Sequence, residues 1–413
     1  MNKKNFIQVF EYQKLKFTDN NDFSKTHFDA MVKFNEKNGN KYFTPVYNGV
    51  QFNSYVGVIQ IGGLTIEILP KADTHLAPDK SLWQSILLNM LKVCKHIQVD
   101  KVSETGLKRK NNSILEIYFE MYLNELQKLI QQGLIKKYRK IENNQNALRG
   151  KLMFSQNIRK NLVHKEKFYC EHQVYVKNHL IHQILLKGLL VLSDLVSLKL
   201  NDKVKRLLYI FGEYSTLEVN AKTFEKLKLD RKSNPYQRSL DIAKMLILNY
   251  SPNLNSGNQQ MLTLLFEMNK LWEEYIFRIL YKNYTELDIA PQNSQLFWEN
   301  KKIRPDIVIT KGKEKFVIDT KWKIINNDSP SDDDLKQMFT YNLHWDSTKT
   351  MLLYPKINQV DSSFGTYHYN NLGNQCKLGF INLIEGKSLK KDEEIAKEII
   401  LKLEDSNSIF TLT

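Results

Sequence analysis

Two aspartates and a lysine in the last third of the sequence have the residue types and the spacing of a metal-dependent hydrolytic site. Asp306 belongs to one predicted strand, and Asp319 and Lys321 belong to the next. If the turn between the strands is centred on Gly312 and Lys313, the two aspartates are equally far from it and face each other. Opposed Cβ atoms in a hairpin are about 4.5–5.5 Å apart, which would let both carboxylates bind one Mg²⁺.

Phosphodiester hydrolysis is the chemistry that this trio favours. A cation held by the aspartates would polarise a phosphate and acidify a water. Lys321 follows Asp319 by two residues on the same face of the strand, where its ammonium could orient that water or offset developing charge. Two buried carboxylates repel each other without a cation, so the pair itself indicates a metal. The alternative is an ordinary surface hairpin with a salt bridge, since Asp230-Arg231-Lys232 also spells DxK.

Two predicted helices flank this hairpin along the chain. In the preceding helix, Glu273 could reach the metal or its water, or could be a solvated surface charge. In the following helix, Gln337 and Tyr341 are four residues apart and share one face. The amide of Gln337 could contact the lysine, a phosphate or a base, whereas core packing would explain Tyr341 equally well.

Composition indicates a globular chain with a polyanionic partner. Of 413 residues, 42% are hydrophobic and 11% aromatic, which excludes a disordered chain. The 60 Lys and Arg against 45 Asp and Glu leave a net charge of +15, which favours nucleic acid or an anionic membrane surface.

Cysteine usage and hydropathy predict a cytoplasmic chain without a membrane segment. The three cysteines are far apart in sequence, so neither a disulfide framework nor a zinc site can be drawn. The N-terminus has no apolar signal region before Asp19. The most apolar run, Leu180 to Leu200, is interrupted by charged residues that a bilayer centre would penalise, so we predict a buried helix of a soluble protein.

Three segments follow from the pattern of predicted elements. Residues 1–110 form a β-rich domain, residues 111–255 a mainly helical basic region, and residues 256–413 a domain with helices on a mixed central sheet. The predicted fold class is therefore α/β (α+β). The aromatic stretch from Tyr42 to Phe52 is either β-core or the surface that docks a partner.

Individual elements are predicted from periodicity and caps. The glycine pair 62–63 joins two alternating strands and favours a type I′ turn with positive φ at both residues. A capping-box pattern at Ser113 begins a helix that Gly133 ends. The other predicted elements are a linker at residues 251–258, a helix from Gln259 to Tyr281, strands at Leu296–Trp298, Ile303–Thr310, Lys315–Asp319 and Met351–Tyr354, and a helix from about Asp333 to Leu343 capped by Ser331.

Half of the excess positive charge is concentrated in residues 136–167. This stretch has ten basic and two acidic residues. It is either the solvated face of a helix or a surface that contacts phosphates. The predicted DNA contacts are Lys136, Lys137, Arg139, Lys140, Arg149, Lys151, Arg159 and Lys160.

The motifs, taken in order, resemble those of the PD-(D/E)XK nucleases, and among them the McrC subunits of McrBC-type modification-dependent restriction systems. The resemblance covers residues 55 to 355. The segments that carry it are the hairpin from Tyr55 through Pro70-Lys71, Gly133-Leu134 with Tyr138-Arg139, Leu148-Arg149-Gly150-Lys151-Leu152, Asn178, Met268-Asn269-Lys270-Leu271-Trp272-Glu273, Arg304-Pro305-Asp306, Asp319-Thr320-Lys321-Trp322-Lys323 and Asp334 to Tyr341.

The resemblance implies a catalytic set of Asp306, Asp319 and Lys321, with Glu273 and Gln337 as auxiliary residues. The predicted metal ligands are Asp306, Asp319 and Thr320, and the predicted ion is Mg²⁺, which Mn²⁺ could replace. The resemblance also implies an endonuclease subunit that cleaves double-stranded DNA when assembled with an McrB-type AAA+ GTPase ring whose hydrolysis it stimulates. No phosphate-binding G-x-x-x-x-G-K-[ST] loop occurs, so we predict no nucleotide site in this chain.

Two alternatives from other classes stay open at the level of sequence. One is a catalytically silent subunit that docks on an NTPase ring and regulates it. The other is a basic DNA-binding module, supported by residues 136–167. An intact set of Asp306, Asp319 and Lys321 favours the enzyme.

Overall fold

The computed structural model describes residues 5–71, 79–96, 113–196, 198–251, 260–323, 330–355, 361–368, 372–386 and 388–403. The described helices are α1 (Lys25–Lys37), α2 (Lys80–Val93), α3 (Ile114–Gln132), α4 (Phe154–Lys160), α5 (Leu180–Leu195), α6 (Leu198–Phe211), α7 (Ala221–Glu225), α8 (Gln237–Leu248), α9 (Met268–Asn283), α10 (Asp332–Trp345) and α11 (Asp392–Leu403), with a 3₁₀ turn at Asn234–Tyr236.

The described strands are β1 (Asn5–Phe10), β2 (Lys14–Lys16), β3 (Phe43–Val46), β4 (Gly49–Phe52), β5 (Tyr55–Ile61), β6 (Leu64–Leu69), β7 (Lys137–Gln145), β8 (Lys151–Leu152), β9 (Phe168–Val176), β10 (Tyr250–Ser251), β11 (Met261–Glu267), β12 (Asp288–Pro291), β13 (Gln295–Trp298), β14 (Lys301–Ile303), β15 (Ile307–Lys311), β16 (Glu314–Thr320), β17 (Lys349–Pro355), β18 (Gly365–Thr366), β19 (Gln375–Ile381), β20 (Ile384–Glu385) and β21 (Ser388–Leu389).

The chain divides into two compact units. The first combines Met1–Ile114 with Leu264–Thr413, and the second is Leu115–Thr263. The first predicted segment, and the third from Leu264 onward, thus fall in the first unit, and the division into three domains stays a prediction. The α/β (α+β) fold class is confirmed by the mixture of helices with several sheets.

The N-terminal part of the first unit is β-rich, as predicted. Strands β1, β6 and β5 and the later residues of β11 form a sheet in that order, in which β1 and β6 are parallel. The β5–β6 hairpin is confirmed, and its pairs run from Gly57–Ile68 to Ile61–Leu64. Only the first glycine of its turn, Gly62, has positive φ, +53°, so the predicted conformation of Gly63 was wrong.

A six-stranded mixed sheet, the central sheet, organises the rest of the first unit. Its strand order is β12-β15-β16-β17-β19-β18, with β16, β17 and β19 parallel and the other pairs antiparallel. The predicted register of the β15–β16 hairpin is confirmed, since Ile307 pairs with Ile318 and Lys311 with Glu314. The hairpin therefore brings Asp306, which directly precedes β15, and Asp319, near the end of β16, to one end of the sheet.

Helix α10 packs on the central sheet over a core that includes Val317, Met338 and Leu352. Its predicted cap is confirmed, because the side chain of Ser331 accepts a hydrogen bond from the Asp334 backbone N–H. Helices α9 and α11 also pack on this sheet and against each other. Helices thus flank a mixed sheet, as predicted.

Two elements predicted at the start of this domain are confirmed only in part. Residues 261–267 form strand β11, and the helix begins only at Met268. A short run of consecutive apolar residues gives no periodicity that separates a buried strand from a helix, and the neighbouring strands decide. The strand predicted at residues 303–310 is interrupted at Arg304-Pro305-Asp306, since proline has no N–H for the ladder. Of the predicted linker, residues 252–258 lie outside the described residues.

The second unit is mainly helical, and it contains a sheet that was not predicted. Strands β7 and β8 both pair antiparallel with β9. The basic stretch therefore lies on β7 and β8, on the short helix α4 and on the loops between them, so the single solvated helical face considered for it was wrong. The apolar run from Leu180 forms α5, whose Ile184, Leu185 and Leu189 are buried. Among the described residues, no helix combines the length and the hydropathy needed to cross a bilayer.

Candidate active site

Asp306, Asp319 and Lys321 meet at the end of the central sheet. The Asp306 Oδ2 accepts hydrogen bonds from the backbone N–H of Thr320, at 2.7 Å, and from its hydroxyl, at 2.8 Å. Asp319, on β16, is only 2% exposed, and its Oδ2 lies 2.7 Å from the Lys321 Nζ. The hairpin register and these contacts bring together the three residues singled out by sequence.

Burial and mutual repulsion raise the pKa values of both aspartates. Burial raises the pKa of Asp319, and the Asp306 carboxylate raises it further, against the lowering effect of Lys321. Burial also raises the pKa of Asp306, opposed by its hydrogen bonds from Thr320. Burial alone would lower the pKa of Lys321, but the Asp319 carboxylate raises it, so the lysine is held as a cation. The Lys321 ammonium, 2.7 Å from Asp319, offsets part of the repulsion between the two carboxylates.

Gln337 and Tyr341 connect the lysine to the loop before β15. The Lys321 Nζ donates to the Gln337 Oε1 at 3.3 Å, and the Gln337 amide donates to the Tyr341 hydroxyl at 2.7 Å. The Tyr341 hydroxyl in turn donates to the backbone carbonyl of Arg304 at 3.0 Å. Tyr341 thus packs in the core and also joins this hydrogen-bonded chain, so both considered roles apply.

Glu273, on α9, lies on the other side of Asp306. The amide of Gln292 donates to Glu273 Oε1 at 2.6 Å, and the Gln292 backbone N–H donates to the Asp306 carbonyl at 2.9 Å. Burial and the nearby Asp306 raise the pKa of Glu273, which places the two carboxylates in one electrostatic neighbourhood. Sequence reasoning missed Gln292, whose loop position carries no local signal.

Asp334 is a second residue that sequence reasoning missed. Its carboxylate lies 2.6 Å from Lys323 Nζ and 3.6 Å from Lys321 Nζ. Although burial raises its pKa, the hydrogen bonds from Lys323 and Ser331 lower it overall. The sequence does carry a signal for this residue, since Asp334 is the third residue after the helix cap Ser331. Its backbone N–H donates to the Ser331 side chain, and its own side chain faces the lysines.

The donor set fits a hard divalent cation with few protein ligands. Within the described residues, no group of three or more His, Cys, Asp or Glu side chains is arranged to hold a metal ion. Mg²⁺ usually binds through one or two carboxylates and keeps several waters, which the Asp306–Asp319 pair can satisfy.

Trp322, next to Lys321, donates a hydrogen bond to a buried glutamate, Glu11, that directly follows β1. The Trp322 Nε1 donates to the Glu11 Oε1 at 2.6 Å, and the Lys71 backbone N–H donates to the same oxygen at 2.9 Å. The Glu11 Oε2 is buried without a hydrogen-bond partner. Burial raises the pKa of Glu11 to about 7, against the lowering effect of its two donors.

We expect Glu11 to make the fold less stable as the pH rises. The folded state keeps this proton up to about pH 7, whereas the unfolded chain releases it near the ordinary value of 4.5. The free energy of unfolding should therefore fall by about 2 kcal/mol between about pH 5.5 and pH 8, relative to Glu11→Gln. Denaturant titration of both proteins at the two pH values measures the difference. Glu36→Gln, at an exposed position of α1, is the matched control and should track the wild type.

The basic residues predicted to contact DNA lie on the β7–β9–β8 sheet and its neighbours. Lys137 and Arg139, on one face of β7, line a cavity of about 550 Å³ together with Lys226 and Lys228. Others make local contacts: the Lys140 Nζ lies 3.2 Å from the Glu171 carboxylate. The remaining predicted DNA contacts are exposed, namely Lys136, Arg149, Lys151, Arg159 and Lys160.

Comparison with known proteins places these features in a family. The family model described as "McrBC 5-methylcytosine restriction system component" matches residues 50–355. A chain of the refined half-complex from a tetradecameric assembly of Thermococcus gammatolerans McrB AAA+ hexamers with bound McrC is 19% identical, with a TM-score of 0.75, and the match covers 97% of this chain and all of that chain.

A chain of the cryo-EM structure of the Thermococcus gammatolerans McrBC complex is 20% identical, with a TM-score of 0.53. That match covers 67% of this chain and 88% of the other. At this level of identity, both structural matches show a shared fold. No curated protein sequence matches the chain.

Proposed function

The chain belongs to the McrBC 5-methylcytosine restriction system component family, and on that premise we propose that it is the McrC-type nuclease subunit of such a system. It cleaves double-stranded DNA with Mg²⁺ when assembled with an McrB-type AAA+ GTPase ring, whose hydrolysis it stimulates. The observation that carries the proposal is the buried pair Asp306 and Asp319 with Lys321 2.7 Å from Asp319.

Each member of this cluster has a distinct task. Asp306, Asp319 and the backbone of Thr320 would hold Mg²⁺, which when bound polarises the scissile phosphate and acidifies a water. The Lys321 ammonium stays charged beside Asp319 and can hold the attacking water or offset charge on the phosphate. Glu273 adds a carboxylate beside Asp306, and Gln337 fixes the position of the lysine amine.

The fold and charge of the chain support the partners in this proposal. The solved structures that share its fold contain McrB AAA+ hexamers with bound McrC, or the McrBC complex. A net charge of +15 favours a polyanionic substrate such as DNA. The three cysteines are free and buried, which fits a reducing cytoplasm, where the complex would act against invading modified DNA.

Reconstituted plasmid cleavage tests the proposal. The full chain is mixed with the McrB-type ring, GTP and Mg²⁺ on methylated and unmethylated plasmid. We expect linear product only when chain, ring, GTP and a divalent cation, either Mg²⁺ or Mn²⁺, are all present. Faster GTP hydrolysis by the ring without any DNA cleavage would make the chain a regulatory subunit and contradict the proposal.

Tyr341 is expected to act as a positioning residue in this reaction. Tyr341→Phe removes the hydroxyl that joins Gln337 to the Arg304 carbonyl, and so loosens both the lysine and the Asp306 loop. We expect kcat for cleavage to fall about tenfold while KM for DNA stays unchanged. Single-turnover cleavage over a range of DNA concentrations separates the two. Tyr209→Phe, at an exposed position of α6, is the control, and a purely structural role of Tyr341 would leave kcat unaltered.

A further inference from the structure

A small exposed hairpin, β13 and β14, protrudes next to the candidate active site. Its apolar side chains Leu296, Phe297 and Trp298 are 63%, 54% and 57% exposed. The two strands pair from Gln295–Ile303, and the register shifts between Leu296 and Trp298. Three consecutive large apolar residues on a two-stranded ribbon do not serve the core, so they need another explanation.

Both ends of the hairpin are attached to residues of the site. On its N-terminal side, Gln292 binds the Glu273 side chain and the Asp306 carbonyl. On its C-terminal side, the Arg304 carbonyl accepts the hydrogen bond from Tyr341. The hairpin therefore projects from the loop that carries Asp306.

The hairpin also rests on helix α10. The Phe297 ring lies 5.8 Å from that of His344, three residues beyond Tyr341. Ile303 packs against the buried cluster that contains Val317 and Tyr341. These contacts fix the base of the hairpin on the same helix that positions Lys321 through Gln337.

Positive charge accompanies the apolar side chains. Residues 295–304 contain Lys301, Lys302 and Arg304 against one acid, Glu299, a local net of +2. All four side chains are exposed. The Lys301 Nζ lies 5.4 Å from the centre of the Trp298 ring, so cation and aromatic ring form one surface.

We propose that the 295–303 hairpin binds the DNA that flanks the scissile phosphate. Lys301, Lys302 and Arg304 bind phosphates of the substrate, and Trp298 packs on a sugar or base of the same duplex. The inference rests on the proposed nuclease function and adds residues that determine how the substrate is held. A four-residue strand extends about 13 Å, which matches the rise of about four base pairs along the DNA helix axis.

Charge and position favour DNA over a protein partner as the occupant. A protein-docking patch is depleted of lysine at its centre, whereas here two lysines lie beside the exposed tryptophan. Lysines and an arginine with an interleaved aromatic ring are typical of surfaces that bind phosphates and stack on bases. A duplex whose scissile phosphate lies at Asp306 must also pass the hairpin, because the hairpin projects from the loop that carries Asp306.

Tryptophan fluorescence of the full chain reports directly on this contact. Of the five tryptophans, all among the described residues, Trp298 is exposed and the other four are 6% exposed or less. In EDTA, where no cleavage occurs, a 30-base-pair duplex should quench the iodide-accessible part of the tryptophan emission, which comes from the exposed Trp298. The same titration of Trp298→Phe should show no such component.

Paired lysine variants measure the electrostatic part of the contact. Lys301→Gln with Lys302→Gln should weaken duplex binding about tenfold and reduce the slope of log affinity against log salt by about 1.8. Lys37→Gln with Lys397→Gln removes the same charge from two exposed helix positions and is the matched control. The control should retain wild-type affinity and salt slope.

The outcomes separate this inference from the proposed function. Wild-type binding by the Lys301/Lys302 variant, or no quenching at Trp298, would overturn the hairpin's role. Normal DNA binding combined with reduced stimulation of the ring's GTP hydrolysis would overturn it as well, and would make the hairpin a protein-docking surface. Unchanged cleavage by Asp319→Ala would instead overturn the nuclease proposal, and the binding titrations do not depend on cleavage.

Discussion

Replacing Asp319 by alanine is expected to lower DNA cleavage by the assembled complex about 10³-fold or more, to background. The substitution removes one of the two carboxylates that would hold Mg²⁺ and leaves Lys321 without its nearest partner at 2.7 Å. Cleavage of methylated plasmid by the reconstituted complex measures the effect. Stimulation of the ring's GTP hydrolysis should be retained, since assembly does not require this buried side chain.

Asp333→Ala is the matched control for this variant. Asp333 lies on helix α10 one residue before Asp334, but its side chain is 96% exposed and its only ion pair in the described part of the chain is a surface contact with Lys336. The same change of residue type at that position should leave cleavage within about twofold of the wild type. An equal loss of cleavage in both variants would show that removing any acidic side chain lowers activity, and that the Asp319 carboxylate has no specific role.

Asp319→Asn tests whether the Asp319 carboxylate binds the metal. Burial and the neighbouring Asp306 make the Asp319 charge unfavourable in the folded chain. The neutral amide should therefore raise the melting temperature by about 2 °C in EDTA. Mg²⁺ should raise the melting temperature of the wild type and leave that of the variant unchanged. An equal response of both proteins to Mg²⁺ would exclude Asp319 as a ligand.

The hairpin that carries this site was predictable because its signals are local. Gly312, with φ of +61°, centres the turn, and strand pairing then propagates outward one residue at a time to Asp306 and Asp319. The cap at Ser331 is equally local, which explains why helix α10 and its Gln337–Tyr341 face were found. The positions of Asp306, Asp319 and the Gln337–Tyr341 face could thus be predicted from one turn and one cap.

What the sequence did not reveal depends on contacts between distant segments. The residue pattern predicts a helix where strand β11 lies, because only the strands beside it distinguish a buried strand from a helix. Strand β7 is almost entirely polar, so it lacks the alternation of apolar and polar residues that marks a half-buried strand. Its pairing with β9 decides its structure. Gln292 contacts Glu273 through its side-chain amide, and Arg304 accepts a hydrogen bond from Tyr341 through its backbone carbonyl. No residue pattern in the sequence encodes such contacts.

Gly57 shows how a motif glycine supports the site from a distance. It lies in β5 with φ of +131°, a conformation that other residues rarely adopt. A Cβ atom at this position would lie 2.1 Å from the backbone carbonyl oxygen of Leu264 in β11. Strand β11 runs directly into α9, whose first residue, Met268, donates its N–H to the Ser54 carbonyl. The close approach of β5 and β11 thus sets the start of the helix that carries Glu273.

Gly57→Ala is therefore expected to lower the free energy of unfolding by about 3 kcal/mol or more, through backbone strain and separation of β5 from β11. Gly63→Ala, in the turn of the same hairpin, is the matched control: its φ is not positive, and no atom lies within 4 Å of the added methyl. That variant should stay within about 0.5 kcal/mol of the wild type. Urea unfolding followed by circular dichroism measures both, and equal stability of the two variants would mean that the approach of the strands is not what requires a glycine at position 57.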